Sequence, residues 1–203
     1  TVDAKNHWVS AGQASWGDLF ALIDSMTKGQ VKTLIIHRVN PFYSLPESFG
    51  FAEALKKVDV VVYTGDRMDE TGQWAQYYAP DNHAMENWGD AEFTKGLYGI
   101  HQPTIRPLWD TRSFQLSLMT WAYLANKGPK RLIAYETYYD YLRNFWKEEI
   151  LHGGSFEESW GNLVQKGFTG EAPTGGSART FKVEALSRIK ASPVVQGLEL
   201  VIY

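Results

Sequence analysis

The sequence contains no cysteine. That excludes a disulfide, a thiolate nucleophile and a cysteine-ligated iron–sulfur cluster within these 203 residues. The compartment stays open, because cytoplasmic and exported proteins alike can lack cysteine. No run of about 18 apolar residues occurs, so no transmembrane helix is expected, and the residues after Thr1 show no signal-peptide pattern. A basic excess is missing too. Twenty Lys and Arg stand against 23 Asp and Glu, a formal net charge of -3, and Lys56-Lys57 and Lys130-Arg131 are the only basic doublets. Nucleic-acid binders concentrate their cations on one face, so nucleic acid is not expected as a partner.

The familiar catalytic signatures are absent as well. There is no Gly-x-Gly-x-x-Gly and no Walker A loop; Gly175-Gly176-Ser177 lacks both the following lysine and a preceding strand and reads as a flexible connection. There is no Gly-x-Ser-x-Gly elbow, and Gly153-Gly154-Ser155 reads as a helix stop followed by a helix cap. The histidines at 7, 37, 83, 101 and 152 make no His-x-x-x-His pair. His83 and Glu86 lie three apart, but a carboxylate-bridged metal site needs partners from several helices. Ordinary loop hydrogen bonding is the simpler account of that pair, and no metal is expected.

What the chain does have is hydrophobic residues, at 44%, and aromatic ones, at 14% with eight tryptophans. This composition suits one globular domain with a sizeable core, with or without an appendage, and an interface with neighbouring domains. Ser15 to Lys28 reads as a helix capped by Ser15, with Asp18 in its first turn, an apolar face of Leu19, Phe20, Leu22, Ile23 and Met26, and Gly29 as its stop. Val31 to His37 reads as a strand covered on both faces, broken by Asn40-Pro41. A short helix is expected over Pro46 to Lys57 and a second strand over Asp59 to Thr64. Strand, helix, strand predicts a parallel unit, which places His37 to Tyr43 and Thr64 to Thr71 on the carboxyl edge where such sheets bind ligands.

Beyond that unit, Asp69 to Tyr78 reads as a short helix ended by Pro80, and residues 81–110 as a long loop of functional or interface type. Thr111 to Lys127 reads as a helix facing inward through Phe114, Leu118, Trp121, Ala122 and Ala125, stopped by Gly128-Pro129. A second long helix is expected from Glu136 to Leu151, with Tyr138, Tyr141, Leu142, Phe145 and Ile150 inward. Ser155 opens a third, to Gln165, with Glu158 in capping-box position. Gly167 to Ser177 reads as loop, and Phe181 to Lys190 is open between helix and strand. The terminal run Leu198-Glu199-Leu200-Val201-Ile202-Tyr203 is strand-like and reads as cut from a longer chain. The expected class is α/β: three layers, a mostly parallel sheet with flanking helices, and a helical C-terminal portion. The expected division is an α/β domain over 1–130 and a helical extension over 131–203. Asp66, Asp69 and Glu70 cluster just after the second strand, where helix capping is the commoner use of carboxylates.

Three segments in order resemble a known family. The first is Leu34-Ile35-Ile36 with Asn40-Pro41-Phe42-Tyr43-Ser44-Leu45-Pro46 and Phe51-Ala52-Glu53-Ala54-Leu55-Lys56-Lys57-Val58. The second is Asp69-Glu70-Thr71, Ala79-Pro80, His83, Glu86 and Trp88-Gly89-Asp90. The third is Gln102-Pro103-Thr104-Ile105, Pro107-Leu108 and Thr111-Arg112-Ser113. Together they resemble the molybdopterin oxidoreductase family over roughly residues 31–125, most closely its exported iron–sulfur branch in the quinol-oxidising alternative complex III of bacteria.

The resemblance implies that Asn40, Pro41, Glu70, Thr71, His83 and Glu86 lie near a pterin guanine dinucleotide cleft. In the alternative complex III branch the corresponding domain holds no molybdenum cofactor, and Trp88-Gly89-Asp90 and Gln102-Pro103 favour that branch. The chain departs from the full family pattern in lacking the cysteine-rich cluster domain and most of the domains that complete a pterin site. The expectation is therefore a scaffold and interaction domain of a respiratory electron-transfer complex. It would have no cofactor of its own, iron–sulfur clusters elsewhere in the parent, respiratory subunits as partners, and a periplasmic location. A molybdopterin-binding fragment of an active molybdenum oxidoreductase is the alternative. A stand-alone α/β binding protein or hydrolase would instead depend on Asp66, Asp69 or Glu70.

Overall fold

The structure is a computed structural model and describes residues 14–171, 180 and 182–188. His7, Gly175-Gly176-Ser177 and the run from Leu198 to Tyr203 lie outside the described residues. Helix α1 (Trp16–Thr27) starts as the sequence predicts. The Ser15 amide donates to Asp18 Oδ2 at 2.7 Å and the Asp18 amide donates to Ser15 Oγ at 3.3 Å, a reciprocal cap. Its buried residues, Ile23 and Met26, join a core with Ile36, Phe51, Leu55, Val58, Val61 and Tyr63.

Strands β1 (Thr33–His37) and β2 (Val60–Thr64) pair in parallel, Thr33 opposite Val60 through His37 opposite Thr64. The parallel α/β unit is thus present. Its connection is more broken than expected. Helix α2 (Pro41–Ser44) follows Asn40, a 3₁₀ turn covers Glu47–Phe49, and α3 is only Phe51–Leu55. Gly50, at φ 70°, separates the last two. Among the described residues β1 lies at the edge of its sheet, and it is covered unequally: Ile36 is buried, whereas Ile35 is 42% exposed. The segment expected as a helix over 69–78 is instead a 3₁₀ turn, Gly72–Trp74, and a short strand, β3 (Tyr77–Tyr78), parallel to β2. The Gln76 side-chain oxygen accepts from the Val61 amide at 2.6 Å, which sets β3 beside β2.

Much of residues 81–110 is ordered into a hairpin rather than a loop. Strands β4 (Gly89–Thr94) and β5 (Leu97–His101) pair antiparallel, and β6 (Phe168–Gly170) adds to β5. This second sheet is antiparallel, an addition to the expected mostly parallel architecture, and β6 extends it from beyond residue 130. Helices α4 (Phe114–Leu124), α5 (Tyr138–Glu149) and α6 (Phe156–Lys166) are the remaining α-helices among the described residues. Ser155 makes no side-chain cap bond, so the expected box with Glu158 does not form. Of the ambiguous 181–190 stretch, Val183–Arg188 is a 3₁₀ helix.

Helix α4 buries Ser117 and Met119 and leaves Leu118 at 38% exposure, unlike the expected inward face. Its side chains are apolar nearly all round, so periodicity has no polar stripe to select against. Helix α5 buries Leu142 and Trp146 in a second core with Ile100, Trp160 and Leu163. The Trp146 indole N–H donates to Asp90 Oδ2 at 2.9 Å and ties α5 to β4.

Partial desolvation against α5 pushes the Asp90 carboxyl above the usual aspartate range although the residue keeps contact with solvent, against the lowering effect of the Trp146 bond. The folded state therefore holds this proton to higher pH than the unfolded chain does. Stability contributed by the group falls as pH rises from the ordinary aspartate range through the raised value. An Asp90→Asn variant is expected to gain stability relative to the parent protein between about pH 3.5 and about pH 7, measured by urea unfolding at both.

Gly170 sits at φ 90°, and a Cβ there would meet the Gly96 carbonyl oxygen at 2.0 Å. Gly170→Ala is expected to cost about 2 kcal/mol and to loosen β6 from β5, read by thermal unfolding and amide exchange at Tyr98 and Ile100.

Candidate functional site

The carboxyl ends of β1 and β2 gather a polar cluster. His37, the last residue of β1, brings Nδ1 within 2.9 Å of Thr64 Oγ1 and 3.1 Å of the Thr64 carbonyl, and its ring stacks on Phe114 at 3.9 Å and 12°. Arg38 follows at φ 49°, a left-handed conformation that a non-glycine residue adopts only under constraint. The constraint is visible. Arg38 Nε donates to Asp81 Oδ2 at 2.7 Å and its terminal nitrogen donates to the Asn82 carbonyl.

Asp81 is almost fully buried, and its Oδ1 accepts from the amides of Asn82 at 2.8 Å and Phe114 at 3.0 Å. One carboxylate thus joins the end of β1, the segment after β3 and the start of α4. Chain geometry brings it there: the Ala79 amide donates to Tyr63 and the Asp81 amide to Gly65, so the segment tracks β2 past its end.

A second group adjoins it. Asn40 Oδ1 accepts from Thr71 Oγ1 at 2.7 Å, Asn40 Nδ2 donates to Glu70 Oε2 at 2.6 Å, and the Phe42 amide donates to Thr71 Oγ1 at 3.1 Å. Pro41 takes the first position of α2, where its missing N–H costs nothing. The bond from Asn40 holds the Glu70 carboxyl below its ordinary range. Asn40, Pro41, Glu70 and Thr71 therefore form one cluster. His83 and Glu86 form another, the two ends of the 3₁₀ turn Ala84–Glu86. The His83 amide donates to Glu86 Oε2 at 2.8 Å, the Met85 amide donates to His83 Nδ1 at 3.2 Å, and the Leu108 amide donates to Glu86 Oε1 at 3.0 Å. Backbone bonds from Leu108 and His83 hold Glu86 low.

The remaining carboxylates also have local partners. Asp69 accepts from the Gly72 amide at 2.8 Å and from the Tyr63 hydroxyl, and Asp66 pairs with Arg67 at 3.1 Å. Among the described residues no three His, Asp or Glu side chains converge as a metal site.

Thr71 is fully buried. Thr71→Val keeps its shape but strands the Phe42 amide and leaves Asn40 Oδ1 with only its Tyr43 amide bond. The expected loss is about 2 kcal/mol, measured by chemical denaturation, with the Asn40 side-chain amide signal shifting as the local readout.

Asp81, Asn82 and Phe114 are the members of this edge that sequence reasoning missed, and Arg38 falls within the 37–43 span placed there without being singled out. The available signal was a charged residue directly after an apolar strand. The fit to a pterin-type ligand turns on Asn82, a buried residue whose Nδ2 donates to Asn87 Oδ1 at 2.8 Å while its own Oδ1 accepts from no donor among the described residues. A buried acceptor of that kind suits a ring N–H.

No protein-family model matches the chain. It is 30% identical, over a 185-residue alignment covering 76% of this chain and 22% of the relative, to the molybdopterin-containing subunit of an arsenate respiratory reductase from Shewanella sp. strain ANA-3. By sequence, the chain is a relative of the molybdopterin oxidoreductases. This molybdopterin oxidoreductase-like chain is also 28% identical over 85 residues to the molybdopterin-binding-like subunit of a menaquinone reductase from Nitratidesulfovibrio vulgaris, covering 40% of this chain and 12% of that one. It spans about a fifth of the first relative's length. A solved structure, acetylene hydratase from Pelobacter acetylenicus, superposes over 50% of this chain and 15% of that one with a TM-score of 0.46 and 20% identity. Among the described residues no helix is long and apolar enough to cross a membrane.

Proposed function

We propose that this chain is a scaffold and interaction portion of a molybdopterin oxidoreductase-like subunit, in a respiratory electron-transfer complex of the alternative complex III kind. The α/β portion, residues 1–130, carries the family-like edge, and residues 131–203 extend it. The observation that supports this reading is that the side chains of Asn40, Glu70, Thr71, His83 and Glu86 bond to one another and to nearby backbone. An edge built that way braces a fold. Clusters and electron carriers would then belong to other parts of the assembly, on the exported side of a bacterial inner membrane.

One observation favours a second reading, in which Asn40, Pro41, Glu70, Thr71, His83 and Glu86 border a molybdopterin cleft. Asn82 Oδ1 is a buried acceptor at the same sheet edge without a donor among the described residues, and the Shewanella relative is described as molybdopterin-containing. When bound, such a cofactor would supply the redox chemistry, and this chain would supply hydrogen bonds and position. Elemental and pterin analysis of the full-length protein from its native host separates the two. Iron without molybdenum or pterin is the expected result; stoichiometric molybdenum with pterin overturns the scaffold reading.

A further inference from the structure

A cavity between α4 and α5 lies apart from the carboxyl edge. It measures about 360 Å³, and its walls include Leu118 and Met119 of α4, Tyr138, Tyr141 and Phe145 of α5, and Asp90 of β4. That volume falls in the range of small-molecule sites, about 300–1,000 Å³. The lining contains no lysine or arginine. A carboxylate therefore opens onto a largely apolar space; among the described residues Arg131 stands outside the lining, over the Phe145 ring at 5.1 Å, and is already paired with Glu149 at 2.8 Å and Glu148 at 3.4 Å.

Two features hold Asp90 there. Its Oδ2 accepts the Trp146 indole N–H at 2.9 Å, from a tryptophan that is itself fully buried. The residue before it, Gly89, lies under the His101 ring, where a Cβ would meet Cε1 at 2.2 Å, so β4 is fixed against β5. Asp90 stays solvent-accessible despite these anchors. In the same lining, Tyr138, Tyr141 and Phe145 form a row of nearly parallel rings, 6.2 and 6.4 Å apart at 26° and 25°. Ring faces and a carboxylate attract the same partner, a positive charge on an apolar body.

We propose that this cavity binds a small organic cation, a protonated amine on a ring-sized apolar body, with the ammonium against Asp90 and the body between Leu118 and the α5 rings. The ammonium would neutralise the Asp90 carboxylate, which no lysine or arginine of the lining does, and the body would replace water on the apolar lining. This site does not depend on whether the carboxyl edge holds a pterin.

The test uses the full-length protein, with 2-phenylethylamine as probe and 2-phenylethanol as its neutral counterpart, followed by calorimetry and by the Trp146 indole N–H signal. The amine is expected to bind saturably and shift that signal, and to bind about tenfold more tightly than the alcohol. Asp90→Asn, which keeps an acceptor for Trp146, is expected to remove that preference and leave the alcohol unchanged. Leu118→Trp, a change at a partly exposed wall position, is expected to abolish binding of both. Equal affinity of amine and alcohol, an unchanged preference in Asp90→Asn, or no saturable binding because another segment fills the cavity would each overturn the proposal.

Discussion

Trp146→Ala is expected to destabilise the protein by about 4 kcal/mol, the largest effect of any single substitution in the second core. The side chain is fully buried. Its ring meets Tyr98 at 6.2 Å and Trp160 at 6.3 Å, both edge-on, and its N–H is taken by Asp90. Truncation would remove the transfer free energy of a large aromatic, leave a cavity among Leu142, Trp160 and Leu163, and deprive Asp90 of its donor. The substitution also reports on how the halves of the second core depend on each other. Trp146 stands on α5, Trp160 on α6 and Tyr98 on β5, so collapse around the void has to move three elements at once. Trp146→Phe, which keeps a ring but not the N–H, should recover more than half of the loss. Urea unfolding of both variants checks this, and equal losses would show that the hydrogen bond, not the volume, carries the effect.

The parts of this fold that the sequence makes legible are those where local and global signals agree. Ser15 and Asp18 announce α1, and Asn40-Pro41 announces the break after β1, because caps and prolines act on their own neighbours. The β1–β2 pairing follows from two apolar runs with a helical segment between them. The hairpin was harder. Strand β4 reads Gly-Asp-Ala-Glu-Phe-Thr, poor in β-branched residues, and the usable signal was the two-residue turn Lys95-Gly96, with Gly96 at φ 83°. Strand β3 is invisible locally, since Tyr77–Tyr78 becomes a strand only through pairing with β2 and the Gln76 side chain. In the site, Asn40, Glu70 and Thr71 emerged from motif resemblance, and the structure joins them by hydrogen bonds across 30 residues of sequence. No periodicity carries information over such a separation. Arg38 and Asp81 illustrate the same limit: 43 positions apart, they meet because the chain after β3 runs on beside β2.

Asp81 is where that limit has its largest consequence, and Asp81→Ala is expected to cost about 3 kcal/mol. The coulombic part is the smaller share. The Arg38 side chain is 39% exposed and can turn to water once its partner is gone. The larger share comes from the Asn82 and Phe114 amides, which lose their acceptor together, one of them at the start of α4. Loss of the ion pair also removes what holds Arg38 at positive φ, so the end of β1 should relax toward an ordinary conformation and carry His37 off the face of Phe114. Asp81→Asn retains one acceptor oxygen and should lose roughly half as much. Combining Arg38→Ala with Asp81→Ala should add little beyond Asp81→Ala alone, because the arginine acts mainly through that carboxylate. Amide exchange at Asn82 and Phe114, with denaturation of the three variants, tests the assignment. Fully additive losses would show that the two residues brace the sheet edge independently, and the edge would then be two separate anchors rather than one.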